Sequence, residues 1–542
     1  MSKKYNNNIG NNDFSYMVIF AVVIFYGYFR NYVISRIGIS GSAYLFTALD
    51  FIAIFIVLVP YALMHTLTGL IRSRLRANQK PNAKRIIYGG MVMAFILSVF
   101  SILFVYLFKG IIANNLLSKE YSTITLIILA LSILPLSCTA VYKSFFKAAK
   151  YTGTLLIIEL AEKVILISLA IIACKFSINY GTNISSVLLN REVLYAFGAI
   201  GCAAGIFIAS VITAIGSCII FKLFKSTLID EYYSGRYDDI YDILSLINND
   251  LIKISGPLAC TIFALFLPMS LYIGSLKKTS SLSIVSYNAG LIYGPVLSLI
   301  VIPLLWILVI NNTDKPLITK ATKTNDLSEL RIKALDMINY SLMVSIGAAL
   351  FIEVCTTSLF EGLMLVSSAK AAFVARFSAP LIVFLSLSIT FTAFLQGIKK
   401  PLSAVGNSLL SLIITILSAV VLTRVANLGL AGVLISLYIY SIILMLLNLK
   451  SLNKFLKHKT ILRTSLIRIM IAGLISAAII FALSFLLRLF LVPILVLVVD
   501  IVIFVVVDYL LLLKLSVING HTITKYPFYG IFHWIGKLFH AL

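Results

Sequence analysis

Apolar runs of about 20 residues recur along the whole chain, separated by mostly short polar connections. A helix of this length spans the hydrocarbon core of a bilayer, and a backbone inside lipid must satisfy its own hydrogen bonds. The sequence therefore predicts an all-α polytopic membrane protein with 14 transmembrane helices. Their approximate ranges are 14–36, 43–70, 86–108, 121–143, 153–175, 194–221, 251–274, 284–310, 337–358, 372–395, 402–424, 429–449, 466–487 and 491–513.

The overall composition excludes a soluble protein of this length. Of the 542 residues, 61% are hydrophobic and 12% are charged, whereas soluble domains carry about 25% charged residues. The net charge of +24 is typical of a membrane protein with basic cytoplasmic loops, so we predict no nucleic-acid partner. The six cysteines lie in or beside apolar runs without metal-ligand spacing and are expected to be small packing residues.

The positions of the lysines and arginines predict the orientation. Every large basic cluster falls on one side when the N-terminus is placed inside; residues 72–85 and 450–468 are examples. Basic loops stay in the cytoplasm. We therefore expect a multi-pass protein of the bacterial cytoplasmic membrane with both termini cytoplasmic.

Two stretches indicate an internal repeat. Residues 42–60 and 285–303 each begin near a tyrosine, end on Pro60 or Pro303, and lead into a basic segment. Repeats of this kind build transporters from related halves. We predict two pseudo-symmetric six-helix lobes in a V, with two further helices. The predicted parts are 1–221 (N-lobe), 222–250 (cytoplasmic amphipathic linker), 251–449 (C-lobe), 450–513 (spans 13–14) and 514–542 (cytoplasmic amphipathic tail).

The linker and the tail each have an apolar helical face. The linker face is predicted to contain Tyr237, Ile240, Tyr241, Leu244 and Ile247. In the tail, an apolar stripe extends from 528 to 539. That stripe fits an interfacial helix and equally well a helix that packs against the bundle.

Charges inside predicted spans are the strongest functional signal, because ionisable groups in a membrane usually mark transport paths. Glu159, Glu162 and Lys163 lie within the fifth span. Lys163 is ten residues past the start of that span, about 15 Å deep. Glu159 is at i−4 and is predicted to pair with it, while Glu162 is predicted to point to another face. A structural salt bridge and a substrate or ion site both remain open.

Two further charges belong to the first two spans. Arg30 lies deep in span 1, and Asp50 in span 2 could be its counter-ion or a cation site. No phosphate-binding glycine loop or metal-ligand spacing is present. We therefore predict a protein that is not an enzyme and has no cofactor, with Na+, H+ or the membrane potential as possible energy source.

Several stretches resemble the lipid-linked oligosaccharide flippase branch of the multidrug/oligosaccharidyl-lipid/polysaccharide exporter superfamily. The segment "FYGYFRNYVISRIG" is similar to the family's first-helix stretch, "IIELAEKV" to a fifth-helix motif with arginine at the Lys163 position, and "FLQGIKKPL" to the turn before span 11. Fourteen spans are most similar to lipid II flippases and stage V sporulation B-type proteins. Asn31 and Gly290 depart from the pattern, since some members have an acidic residue and an arginine there.

The resemblance implies a flippase that moves a polyprenyl-pyrophosphate-linked sugar, such as the peptidoglycan precursor lipid II, by alternating access. It also implies a cationic headgroup cavity and a groove of spans 13–14 for the polyprenyl tail. The partners would be the lipid-linked sugar and membrane lipids, and we expect a monomer. The candidate substrate-binding residues are Arg30, Asn31, Asp50, Glu159, Glu162 and Lys163.

Other functions are compatible with parts of the sequence. An ion-coupled multidrug exporter of the same superfamily would need an acidic cavity with few cations, and Asp50, Glu159 and Glu162 keep this alternative open. A membrane glycosyltransferase or polymerase would need a sizeable extramembrane loop with paired acids, which the sequence lacks. A scaffold without transport activity is disfavoured by the charges inside the spans.

Overall fold

All regular structure in the described part of the chain is helical, which confirms the predicted fold class. The computed structural model describes residues 2–117, 119–224, 226, 235–324, 326–457, 463–518 and 529–539, and side chains from Phe20 onward except at 119, 120, 463, 464 and 529. The helices are α1 Ser2–Ile56, α2 Ala62–Arg76, α3 Lys80–Leu116, α4 Lys119–Leu131, α5 Ile133–Ala148, α6 Thr152–Leu188, α7 Arg191–Phe224, α8 Ile240–Leu276, α9 Leu282–Leu291, α10 Leu297–Lys323, α11 Leu327–Leu359, α12 Ala369–Ser378, α13 Leu381–Gly397, α14 Pro401–Val420, α15 Gly429–Leu456, α16 Arg463–Leu487, α17 Pro493–Lys514 and α18 Tyr529–Leu538.

Helices long and apolar enough to cross a membrane account for the predicted spans. Twelve such helical segments occur in the described residues, and the first, Phe20–Arg76, is 57 residues long. That segment covers two predicted spans, because the backbone leaves helical geometry at Gly38 (φ 71°, ψ 179°). The helix α6 is not among the twelve; its apolar stretch carries Glu159, Glu162 and Lys163. With these two corrections every predicted span corresponds to a helix.

Short π-helical turns interrupt several spans. One is Val57–Tyr61, which contains Pro60, and another is Ile292–Val296, which contains Pro295. Proline lacks an N–H and clashes with the preceding turn, so a widened turn accommodates it. Pro303, which the sequence repeat pairs with Pro60, lies instead within α10. Superposition of the two halves stays a prediction.

The chain divides into two compact units. Unit 1 comprises Met1–Arg36, Pro295–Ala404 and Tyr438–Leu542, and unit 2 comprises Ile37–Gly294 and Val405–Leu437. In unit 2, α6 and α7 form a close hairpin. A Cβ on Gly205 would lie 2.4 Å from the carbonyl oxygen of Leu169, and one on Gly201 would meet Ser177. Small residues therefore let the two backbones approach, as is common between membrane helices.

Unit 1 has an apolar core around α10, α11, α13 and the ends of α15–α17. The tail helix α18 packs against this core through Phe532 and Ile535. Phe532 contacts the ring of Tyr509 with centroids 4.8 Å apart, whereas Ile531 and Trp534 are exposed. The tail was predicted to be either an interfacial helix or a helix that packs against the bundle, and the structure shows packing through one face. Phe528, the first residue of the predicted stripe, lies outside the described residues.

The linker differs from its predicted form. Its helical part is the start of α8, which continues without interruption into the seventh span. Ile243 and Ile247 are buried, whereas Tyr237, Ile240 and Tyr241 are exposed. The buried side chains recur every four residues on the face that packs on α2 and α3. The buried face is therefore centred on Ile243 and Ile247, and it does not include the three exposed residues of the predicted face.

Candidate substrate-binding site

A buried carboxylate between two lysines is the central feature of unit 2. The carboxylate of Glu162 on α6 forms two ion pairs. Its Oε1 is 2.6 Å from Nζ of Lys163, and its Oε2 contacts Nζ of Lys143 on α5. The side chain of Glu162 is 5% exposed, that of Lys143 is 11% exposed and that of Lys163 is 35% exposed. Two cations against one carboxylate leave this cluster with a net positive charge.

The predicted pair of Glu159 with Lys163 was wrong. No ion pair joins these two side chains within the described residues, and Lys163 bonds its sequence neighbour Glu162 instead. The prediction placed Glu162 on a different face of the helix from Lys163, and the backbone positions of the two residues do lie on different faces. The lysine side chain is long and flexible, however, and it turns around the helix to reach the carboxylate. Glu159 is half-buried and acts electrostatically on Lys143 and Lys147.

Lys143 is the member of the cluster that the sequence analysis missed. It stands at the predicted end of span 4, where it was counted among the basic loop residues. In the structure it lies inside α5, which ends at Ala148. The helices α5 and α6 are joined by a short turn at 149–151, so residues on either side of the turn face one another. Matching opposite charges across that turn would have found the pair.

The depth of Lys163 in the membrane does not follow from its distance to the helix start. The helix α6 begins at Thr152 and contains 37 residues, about 55 Å of helix. Since about 20 residues span the hydrocarbon core, α6 projects beyond it. The placement of Lys163 near the midplane therefore stays a prediction.

Arg30 and Asn31 belong to unit 1. Arg30 is 1% exposed. Its Nε donates to Ser298 Oγ at 2.8 Å, and its Nη1 donates to the hydroxyl of Tyr26 at 2.8 Å. Asn31 is half-buried, and its Oδ1 is buried with no hydrogen-bond partner among the described residues. The buried cation of Arg30 is thus held by the hydroxyls of Ser298 and Tyr26. The neighbouring residue, Asn31, has an amide oxygen that can accept a hydrogen bond.

Asp50 lies in unit 2, on the part of α1 that follows Gly38. It is half-buried and within electrostatic range of Tyr293. The hydroxyl of Tyr293 donates to the carbonyl of Phe266 at 2.8 Å. Of the six predicted residues, the structure joins Glu162 and Lys163 directly. The pairing of Asp50 with Arg30 stays a prediction.

Gly290 has a steric reason for being glycine. A Cβ at this position would lie 2.0 Å from the carbonyl oxygen of Ile39. Ile39 directly follows Gly38, whose positive φ turns the backbone of α1. A side chain as large as arginine has no room here in this conformation. The glycine at position 290 is therefore explained by the non-helical backbone at Gly38, which brings the carbonyl of Ile39 close to it.

Unit 1 contains an apolar cavity of about 420 Å³. It lies along α11 and α17, and α16 does not line it. Phe20, Trp306, Ile518 and Phe532 also line it, and Asp508 is the one charged residue among the described side chains of the wall. The Oδ1 of Asp508 accepts from Ser476 at 3.5 Å. Of the predicted tail-groove helices, α17 thus borders a cavity suited to an apolar chain.

No group of three or more histidine, cysteine or acidic side chains in the described ranges could hold a metal ion. The chemistry that these residues offer is electrostatic. Lysine and arginine side chains can bind an anion, and an apolar cavity can bind hydrocarbon.

The arrangement of the helices is similar to that of solved transporters of the MOP superfamily, which confirms the predicted fold. An inward-facing multidrug resistance MATE family transporter of this superfamily superposes with a TM-score of 0.62 at 13% identity, over 82% of this chain and 98% of its own. The lipid II flippase MurJ in an inward closed conformation superposes with a TM-score of 0.60 at 16% identity, over 91% of this chain and 97% of its own. A MOP superfamily transporter from Pyrococcus furiosus gives 0.60 at 14% identity, over 83% and 95%. No family model and no curated protein matches the sequence.

Proposed function

We propose that this protein is a flippase that moves a polyprenyl-pyrophosphate-linked sugar across the bacterial cytoplasmic membrane by alternating access. Lipid II or a related lipid-linked oligosaccharide is the proposed substrate. The fold of a MOP-type transporter supports a transport role over an enzymatic one. Both termini are proposed to be cytoplasmic and the protein to act as a monomer, with Na+, H+ or the membrane potential as energy source.

The extent of the structural matches favours the flippase over the drug exporter. The MATE transporter is matched over 98% of its own chain but over only 82% of this one. MurJ is matched over 97% of its chain and over 91% of this one. The two superpose about equally well, with TM-scores of 0.62 and 0.60, but the flippase accounts for more of this chain, as expected if the two additional spans serve a lipid substrate.

The observation that carries the proposal is the excess of cation around Glu162. A pyrophosphate has about two negative charges, and one cation cannot balance them in a medium of low dielectric constant. Lys143 neutralises Glu162 by itself, so Lys163 can leave the carboxylate without stranding a buried charge. We therefore propose Lys163 as the mobile cation of the headgroup site, while a contribution of Arg30 as a second cation stays a prediction from the sequence.

The apolar cavity of unit 1 supports the lipid part of the proposal. Its volume of about 420 Å³ is within the range of ligand pockets. It is bordered by α17, one of the two helices added to the predicted pair of six-helix lobes. We propose that part of the polyprenyl chain lies along this cavity while the sugar and pyrophosphate cross the membrane.

Transport by purified protein in liposomes tests the proposal. A fluorescent polyprenyl-pyrophosphate sugar in the inner leaflet should become accessible to an external quencher or modifying enzyme. Lys163→Ala should reduce the rate of exposure at least about tenfold, because one charge-assisted contact contributes about 1.5–3 kcal/mol. Lys163→Arg, which restores the residue usual in related flippases, should remain active.

The matched control is Lys175→Ala, which removes an exposed lysine of the same helix that forms no ion pair in the described structure. It should retain at least half of the transport rate. Equal rates for Lys163→Ala and the unchanged protein would contradict the proposed role of the cluster. Failure of the unchanged protein to expose any polyprenyl substrate would contradict the flippase itself.

A second candidate is an ion-coupled exporter of cationic compounds. Asp508 favours it, because a carboxylate in an apolar cavity can attract an organic cation. Efflux of a cationic dye from loaded liposomes, abolished by Asp508→Asn and unaffected by Lys163→Ala, would support the exporter in place of the flippase.

A further inference from the structure

A second cavity of about 320 Å³ lies in unit 2, where α2 and α5 end and α6 begins. Cations and aromatic rings dominate its wall. Arg72 and Arg76 come from α2, and Lys150 comes from the turn between α5 and α6. Phe145 and Tyr151 contribute rings whose centroids are 6.1 Å apart. None of the residues that line the cavity is acidic.

The cations of this cavity have no carboxylate partner within the described residues. The Nη2 of Arg72 donates to the carbonyl of Lys147 at 3.0 Å, which fixes the guanidinium in place. Its Nε is buried and has no hydrogen-bond partner in the part of the chain that the structure describes. Lys147 adds positive charge within electrostatic range of Arg72, although Glu159 acts on Lys147.

On the opposite face of α2, by contrast, acidic side chains accompany the cation. There Arg74 forms an ion pair with Asp238 at 2.9 Å and donates to the side chain of Gln79. The cavity on that side, about 380 Å³, is lined by Arg74 together with Asp238 and Asp242. The tendency of cytoplasmic loops to be basic explains why cations occur at this end of the helices. It does not explain why one cavity has acids and the other has none.

The start of α6 adds to the positive potential. Its N-terminal residue Thr152 follows Tyr151 of the cavity wall, and no side chain caps the first turn, which also contains no acid. Free N–H groups at a helix N-terminus attract anions. Further along the same helix Ile157 is 64% exposed, so an apolar flank suited to an acyl chain begins within two helical turns of the cavity.

We propose that this cavity, bounded by Arg72, Arg76 and Lys150, binds the phosphate group of an anionic membrane lipid. Arginine guanidinium groups form paired hydrogen bonds with phosphate oxygens. Basic cavities between the cytoplasmic ends of membrane helices recognise anionic headgroups. The exposed apolar flank of α6 would accept the acyl chains, which free phosphate lacks. This site is independent of the substrate that the protein transports.

Binding of phosphatidylglycerol to the purified full-length protein tests the proposal, with phosphatidylcholine as the neutral comparison. Native mass spectrometry in detergent should show bound phosphatidylglycerol in preference. The variant with Arg72→Gln, Arg76→Gln and Lys150→Gln should lose about 100-fold in affinity, at about fivefold for each cation removed. Millimolar inorganic phosphate should not displace the lipid.

The matched control removes three exposed or half-buried cations that do not line the cavity: Lys80→Gln, Lys84→Gln and Lys454→Gln. It should bind phosphatidylglycerol like the unchanged protein. Equal losses in both triple variants would show a general effect of surface charge and overturn the proposal. Displacement by inorganic phosphate would overturn it in favour of a free-anion site. If the cavity variant does not fold, Lys150→Gln alone decides, with a fivefold loss expected and no loss contradicting the site.

Discussion

Two buried carboxylates, Glu162 of unit 2 and Asp500 of unit 1, have opposite surroundings. Glu162 is bound by two lysine ammonium groups. Asp500 is fully buried and accepts from neutral groups, the hydroxyl of Ser484 and, at 3.8 Å, the thiol of Cys355. Arg488 acts on Asp500 only electrostatically, and its Nη2 donates to Ser358 Oγ at 2.7 Å.

The difference separates two uses of an acid inside a membrane protein. A carboxylate between two cations sets the charge of its neighbourhood, and its removal strands those cations. A carboxylate among hydroxyl and thiol groups fills a hydrogen-bonding position that a neutral group can also fill. The first kind can exchange a cation with an anionic substrate, and the second kind holds helices together.

Glu162→Gln should have the largest effect on stability. It leaves Lys143 and Lys163 without their common carboxylate, and breaking a buried pair costs about 3–5 kcal/mol. Thermal unfolding of the purified variant in detergent should show a large drop in melting temperature. The control Glu159→Gln should melt close to the unchanged protein. Similar melting temperatures for both variants would show that the cluster is solvated and that the comparison with Asp500 fails.

Lys143→Met should have an intermediate effect on stability and a large one on transport. Glu162 keeps Lys163, so the loss should be about 1–3 kcal/mol, below that of Glu162→Gln. With Lys143 absent, however, Lys163 becomes the sole cation for Glu162 and is no longer available to a headgroup. Flipping should therefore fall by at least about tenfold although Lys143 itself need not contact substrate.

The experiment for this variant compares transport with stability. Lys163→Met removes the more exposed lysine and should destabilise less than Lys143→Met, while reducing transport at least as much. If Lys143→Met transports normally, the two lysines are independent, and the exchange of Lys163 between carboxylate and headgroup is wrong.

The sequence predicted more of the fold than of the site. Long apolar runs determine helices almost by themselves, because lipid leaves the backbone no other way to satisfy its hydrogen bonds. All fourteen predicted spans therefore correspond to helices. The ion cluster depended on tertiary packing. The i,i+4 rule pairs Glu159 with Lys163 on an isolated helix, but it cannot include Lys143 of the preceding helix.

Two other features, the steric role of Gly290 and the basic cavity, could not be predicted from the sequence because they also depend on tertiary packing. The steric role of Gly290 depends on the carbonyl of Ile39 in a segment about 250 residues away. The unbalanced cations at 72, 76 and 150 look like ordinary loop charges until the ends of three helices meet. A sequence gives the period of a single helix, whereas charge partners and close backbone contacts are decided by which helices become neighbours.

Asp500→Asn should have the smallest effect and thereby completes the comparison. The amide oxygen of asparagine can still accept from Ser484, and Cys355 is a weak donor whose loss costs little. We expect a change of less than about 1 kcal/mol in unfolding free energy and an unchanged rate of transport. A fall in melting temperature as large as that of Glu162→Gln would mean that Asp500 acts through its charge, with Arg488 as the partner that carries it. In that case Arg488→Gln should produce the same fall, and combining the two changes should add little, because the second removes an interaction already lost.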